Sequence, residues 1–248
     1  MVKGEKAPFD GSGRRLPRLG KASRFVYSRK RELLTTTGYE DFSVPFSLSG
    51  APDIECFVAR ERELAEMRKI LRSDGSRRAV VLHGLGGIGK TQLAIEYAKR
   101  YKDDYSAVFW LNIKDQDALK QSFVWMAKQV QRAHPSASRI SSLDMKDPDD
   151  VIDAVKAWLS LLNNTRWLLV FDNYDNPKLP GNTDQEALDI HEFLPESYQG
   201  SVIITTRSSR VESGSSIQMK KMEDIRDSLE ILSSTSKRSI QETGKSTV

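Results

Sequence analysis

Ala79-Val80-Val81-Leu82-His83-Gly84-Leu85-Gly86-Gly87-Ile88-Gly89-Lys90-Thr91-Gln92-Leu93 is the stretch on which the fold turns. Ala79 to Leu82 is a short apolar run with Arg77 and Arg78 before it and glycines after it, the pattern of a strand buried on both faces of a parallel sheet. From Thr91 to Tyr101 the apolar residues Leu93, Ala94, Tyr97, Ala98 and Tyr101 recur at helical spacing. Between strand and helix stands the pattern G-x-x-x-x-G-K-[ST], from Gly84 to Thr91. Gly86, Gly87 and Gly89 let backbone N–H groups close around phosphate oxygens, and the helix N-terminus adds a favourable partial charge. Lys90 would neutralise β- and γ-phosphates, and the Thr91 hydroxyl would ligate Mg²⁺, a hard cation that prefers oxygen. The flanking strand and helix distinguish this P-loop from a structural glycine-rich turn. It predicts a site for a purine nucleoside di- or triphosphate with magnesium, built on Gly84, Gly86, Gly87, Ile88, Gly89, Lys90, Thr91 and Gln92.

Outward from this stretch, strands and helices alternate. Leu64, Met67, Ile70 and Leu71 mark a short amphipathic helix over 61–71, ended by Asp74-Gly75-Ser76. Ala107 to Leu111 reads as the second strand. Leu119, Phe123, Met126, Ala127 and Val130 mark another helix, 151–162 a further one, 167–171 a third strand and 202–205 a fourth. A polar loop over 173–195 carries one short helix near 188–193, and a weak fifth strand at 217–219 and a helix at 224–232 close the fold. The alternation predicts an α/β protein, a doubly wound, mostly parallel sheet with flanking helices. Residues 1–50, rich in Gly, Ser, Pro and Lys/Arg without sustained period, read as a basic disordered leader, and residues 236–248 as a frayed tail.

A P-loop protein also needs an acid at the end of a neighbouring buried strand to orient the metal's water shell, and Leu168-Leu169-Val170-Phe171-Asp172 supplies one. The next residue is Asn173, a neutral amide that cannot take up a proton from an attacking water. Asp175 substitutes for a second acid only if the turn brings it round. The strand Ser201-Val202-Ile203-Ile204-Thr205 ends in Thr206-Arg207, where a guanidinium is either a γ-phosphate sensor or a partner in a surface salt bridge.

These residues, with Phe57-Val58-Ala59-Arg60-Glu61-Arg62-Glu63-Leu64, Phe109-Trp110-Leu111 and Gly200 to Arg207, occur in the order of an NB-ARC domain, and the chain resembles that nucleotide switch of the STAND class of P-loop NTPases. Trp167 to Asn176 and Phe193-Leu194-Pro195 are most similar to filamentous-fungal NOD-like members. The resemblance covers roughly 52–235 and rests on five ordered motifs. It implies that Phe57, Val58 and Arg60 lie against the adenine, that Arg207 reads the γ-phosphate, and that Lys90, Asp172 and Arg207 form the catalytic set, with Thr91 and Asp172 on the metal. It implies homotypic or heterotypic NOD-like protein partners. Three departures stand out. Ala59 replaces the usual glycine, Asn173 replaces the usual second acid, and after Leu232 there is no Gly-Leu-Pro-Leu segment, winged-helix module, histidine latch or repeat array. The resemblance therefore stops at the nucleotide-binding subdomain.

The rest of the composition narrows the function classes. In 248 residues no run approaches the ~20 apolar residues of a membrane span, and the single Cys56 excludes an internal disulfide framework. A reducing, cytoplasmic setting is expected. Net charge is +4, but residues 1–31 hold ten Lys/Arg against Glu5 and Asp10, so the basicity belongs to the leader. No aromatic interleaving or folded reader accompanies it, which disfavours nucleic acid as a partner. His83, His134 and His191 lack metal-site spacing. The expected function is an ADP/ATP-binding signalling switch with slow or absent hydrolysis. A truncated adaptor that pairs with longer relatives and an active P-loop ATPase stand as alternatives.

Overall fold

The computed structural model describes residues 42–54, 57, 60–72 and 75–221. Five parallel strands form one sheet: β1 (Arg78–His83), β2 (Ala107–Asn112), β3 (Trp167–Asp172), β4 (Ser201–Thr206) and β5 (Ser215–Gln218), in the spatial order β2-β3-β4-β1-β5. The helices are α1 (Glu61–Leu71), α2 (Lys90–Arg100), α3 (Gln116–Ala133), the single turn α4 (Ser138–Ser141) and α5 (Pro148–Leu159). The elements expected over the described residues are present, with three shifts: the helix expected at 151–162 spans Pro148–Leu159, the short helix near 188–193 is a 3-10 turn at Ile190–Phe193, and the fifth strand begins two residues earlier than the apolar pair Ile217 and Met219 suggests. The expected helix at 224–232 lies outside the described residues, as do residues 1–41, Val58, Ala59 and Cys56.

Strand alternation divides the core in two. Val81, Phe109, Leu111, Trp167, Leu169, Phe171, Val202 and Ile204 point to one face, where they meet α3 and α5. Val80, Leu82, Val108, Trp110, Leu168, Val170 and Ile203 point to the other, against α1 and α2. Both faces are covered, which is why the central strands read as unbroken apolar runs. Each core helix enters by its own local chemistry. Asp115 caps α3 by accepting from Ala118 N at 2.8 Å, and Asp147 caps α5 by accepting from Asp149 N at 3.0 Å, with Pro148 in the first turn.

The chain packs on this sandwich earlier than the composition suggests. Val44 donates its N–H to the Ser106 carbonyl at 2.8 Å, and Phe42 meets Trp158 edge to face at 6.0 Å. Residues 42–50 are thus attached to the fold. Their few apolar side chains serve as isolated anchors in an extended segment, so no period announces them.

The spatial order places β4 between β1 and β3. Asp172 therefore ends a strand one removed from the P-loop strand, and it is Arg207 that follows the immediate neighbour. At the foot of β4 stands Gly200, whose φ of +79° and lack of a side chain let it press on the Trp167 indole. A Cβ there would stand 2.3 Å from ring carbons. Gly200→Ala combines left-handed strain with an unavoidable overlap and is expected to destabilise the fold by about 3 kcal/mol in urea unfolding. Gly181→Ala has the same sign of φ with nothing within 4 Å of the new carbon, and should cost only about 1 kcal/mol.

Candidate functional site

The C-terminal ends of β1, β3 and β4 converge on the start of α2. This helix differs from α3 and α5 at its N-terminus: Gly89 precedes it with φ 96°, no side chain caps it, and its first turn holds no acid. Its leading N–H groups and dipole are left for an external anion. Gly84 crosses closely beneath the chain after β5, and a Cβ there would stand 2.7 Å from the Met219 carbonyl oxygen. Lys90, 9% exposed, folds its ammonium back over the loop, donating to the Gly84 and Leu85 carbonyls at 2.9 and 2.8 Å. Burial lowers its pKa. The carboxylates of Asp175 and Asp172 oppose that shift, and the Arg207 charge adds to it.

Asp172 is 3% exposed at the end of β3. Its Oδ1 accepts from the hydroxyls of Thr91, at 2.8 Å, and Thr205, at 2.6 Å, and its Oδ2 accepts from Asn173 Nδ2 at 3.2 Å. The Thr205 hydroxyl in turn accepts the Asn173 N–H at 3.0 Å, so its own proton is directed at the carboxylate. Burial raises the Asp172 pKa, the Thr205 and Thr91 bonds counter it, and nearby Asp175 adds to it. The sign follows: the folded state holds this proton more tightly than the unfolded chain does. The ionised carboxylate is a load on the fold, absent once pH falls below its raised pKa.

Thr91 and Asp172 bring a hydroxyl and a carboxylate together on all-oxygen terms, the donor set that suits Mg²⁺ bound jointly with phosphates. Among the described residues no group of three or more His, Cys, Asp or Glu is arranged to hold a metal by protein ligands alone. When bound, the cation would supply neutralisation of the phosphate oxygens.

Arg207 lies over the loop, its Nε and Nη2 at 3.6 and 3.9 Å from where a Gly86 Cβ would stand. It also makes a salt bridge, Nε to Asp175 Oδ2 at 2.9 Å, the second of the two readings of its sequence position. Asn173 adopts φ 69°, a left-handed conformation that Asn tolerates, and the turn carries Asp175 back to the site.

Phe57 packs on the α1/α2 core, and Gln92 is exposed beside Gly89. Arg60, also left-handed at φ 69°, donates to Glu63 at 2.8 Å, to the Ile88 carbonyl at 3.2 Å and to the Lys220 carbonyl at 2.8 Å. Its guanidinium braces the P-loop against the exit of β5. Thr205 also meets this cluster, and the turn does bring Asp175 round to it, bonded to Arg207. Thr205 was signalled only by ending a strand beside another hydroxyl and an arginine.

Residues 56–203 match the model of a family described as the AAA ATPase domain. A nucleotide-binding leucine-rich repeat (NLR)-like protein of Hyaloscypha variabilis is 29% identical over an alignment of 207 residues covering 77% of this chain and 19% of that protein. The chain thus spans about a fifth of that relative's length. Three solved structures are also similar. Cdc6p from Pyrobaculum aerophilum has 16% identity and a TM-score of 0.47, covering 77% of this chain and 52% of that one. The ADP form of Aeropyrum pernix ORC2 has 15% identity and a TM-score of 0.46, covering 77% and 55%. Drosophila ORC bound to DNA has 15% identity and a TM-score of 0.48, covering 72% and 47%. Among the described residues no helix is long and apolar enough to cross a membrane.

Because ionised Asp172 burdens the fold but serves the cation, the two properties should separate in Asp172→Asn. The nucleotide-free variant should melt no lower than wild type, and up to ~4 °C higher, in scanning fluorimetry. The same variant should lose magnesium-dependent nucleotide affinity by at least about tenfold in titrations with and without a chelator.

Proposed function

The chain belongs to the AAA ATPase domain family, and on that premise we propose that it is an adenine-nucleotide switch module of the NB-ARC kind. One state holds ADP with magnesium, the other ATP, and hydrolysis is slow enough that the identity of the bound nucleotide sets the state. The observation that carries this reading is that Lys90, Thr91 and Asp172 gather at the P-loop while the residue after the strand-end acid is Asn173, a neutral amide. Lys90, Thr91 and Asp172 are assembled within hydrogen-bond reach of the loop, yet Asn173 is bonded through its side chain to Asp172 and has no proton-accepting nitrogen to offer a water.

The roles follow from chemistry. Lys90 gives up its bonds to the loop carbonyls to neutralise phosphates, the free N–H groups at the start of α2 bind their oxygens, and Arg207 over Gly86 reads the terminal phosphate. The NB-ARC likeness assigns Phe57 and Arg60 to the adenine side, and Arg60 donates to the Ile88 carbonyl of the loop. Such a module signals by differential affinity for the two nucleotides in its two states. Its partners are longer proteins of the NOD-like kind, in keeping with the likeness to the much longer NLR-like relative.

The test is to denature the purified protein and identify the released nucleotide by chromatography. ADP or ATP at near-equal molar amount is expected, absent from Lys90→Ala, together with no multiple-turnover phosphate release above that of the variant. An empty chain that also fails to bind added ADP would overturn the proposal. Sustained turnover abolished by Lys90→Ala would replace it with a working ATPase.

A further inference from the structure

Arg207 is gripped from two sides by one carboxylate. Asp175 Oδ1 accepts the Arg207 backbone N–H at 2.7 Å, and Oδ2 accepts its Nε at 2.9 Å. The grip is built by the turn after β3. Left-handed Asn173 reverses the chain, Asp175 N donates to the Asn173 carbonyl at 2.8 Å, and Tyr174 N donates to the Thr205 carbonyl at 2.9 Å, which pins the turn to the end of β4. Asp175 is thereby delivered to the residue just beyond β4. The Arg207 side chain is 70% exposed, and neither Nη1 nor Nη2 is hydrogen-bonded to another described residue, yet the guanidinium rests over Gly86 in the middle of the phosphate loop.

A guanidinium has two edges that can each take an oxyanion. Asp175 occupies the Nε side and leaves the terminal edge for another. We propose that Asp175 is a positioning residue: it holds Arg207 over the loop in advance, with the Nη edge available to a terminal phosphate, and thereby sets the preference for a nucleoside triphosphate over a diphosphate. This rests on the switch reading above. An exposed arginine without such a partner would have to order four side-chain torsions when phosphate arrives, and the two-point grip orders them beforehand. The carboxylate charge opposes a second anion. Here it lies across the guanidinium from the open edge and against the nearest cation, so the pair presents itself to the phosphate as an oriented dipole with its positive end outward.

The test is a double-mutant cycle on the full chain, measuring the magnesium-dependent Kd of ADP and of a non-hydrolysable ATP analogue for wild type, Asp175→Ala, Arg207→Ala and the double variant. Asp175→Ala should weaken the ATP analogue about fivefold and leave ADP unchanged, Arg207→Ala should weaken the analogue at least as much, and the double variant should be no worse than Arg207→Ala alone. Asp175→Asn, which keeps the acceptor for the Arg207 N–H, should shift the analogue in the same direction by less, and stands in if the alanine variant does not fold. An unchanged or tighter analogue affinity in both Asp175 variants overturns the proposal, as do equal losses for both nucleotides, additive losses in the double variant, or an effect on turnover without one on affinity. Wild-type protein that binds neither nucleotide removes the switch reading itself, and the role of Asp175 with it.

Discussion

A carboxylate buried at the end of β3 holds the site together. Asp172 receives one hydroxyl from the first turn of α2 and one from the end of β4, so three elements far apart in sequence meet on a single oxygen. A charge so placed pays for lost hydration, and each charge-assisted bond returns part of that cost. Thr205 contributes most directly, since its hydroxyl is already oriented by the Asn173 N–H. The same bonds tie the end of the P-loop to β3 and β4, because Thr91 is its last residue. Anything that replaces Asp172 as partner of the Thr91 hydroxyl therefore acts on the seat of the loop as well as on the carboxylate.

The fold was legible from sequence wherever two independent signals coincided. The apolar runs at Val80, Phe109, Leu169 and Ile203 read as strands because both faces of the sheet are covered, and Leu93, Ala94, Tyr97 and Ala98 read as one helix face because that face is buried. Lys90, Thr91 and Asp172 could be assigned from their neighbours, since a strand before a glycine-rich loop and an apolar run before an acid both constrain position. All three meet in space.

What stayed hidden depends on spatial order and on single backbone conformations. No pattern in the strands specifies that β4 inserts between β1 and β3, so the immediate neighbour of the P-loop strand proves to be the one that delivers Arg207. The attachment of residues 42–50 rests on isolated contacts such as Val44 to Ser106, which leave no period. The course of the turn at Asn173 was left open for a different reason. An Asn in left-handed conformation is a local choice compatible with many continuations, and only the Tyr174 bond to Thr205 shows which continuation was taken.

The two arginines give the loop a common logic. Each bridges the phosphate loop to the exit of a different strand. Arg207 hangs from the end of β4 over Gly86, and Arg60 ties the Ile88 carbonyl to the Lys220 carbonyl just past β5. Both strands flank β1, so the loop is held between its two neighbours as well as by its own strand and helix. The two ties differ in kind. Arg60 is 8% exposed and spends its donors on two backbone carbonyls and the Glu63 carboxylate, which fixes geometry, whereas Arg207 is largely exposed and keeps an edge unspent. The loop is thus braced by spent donors on the β5 side and by an arginine with an edge to spare on the β4 side, where the buried acid Asp172, the neutral amide Asn173 and the arginine's counter-ion Asp175 follow one another within four residues.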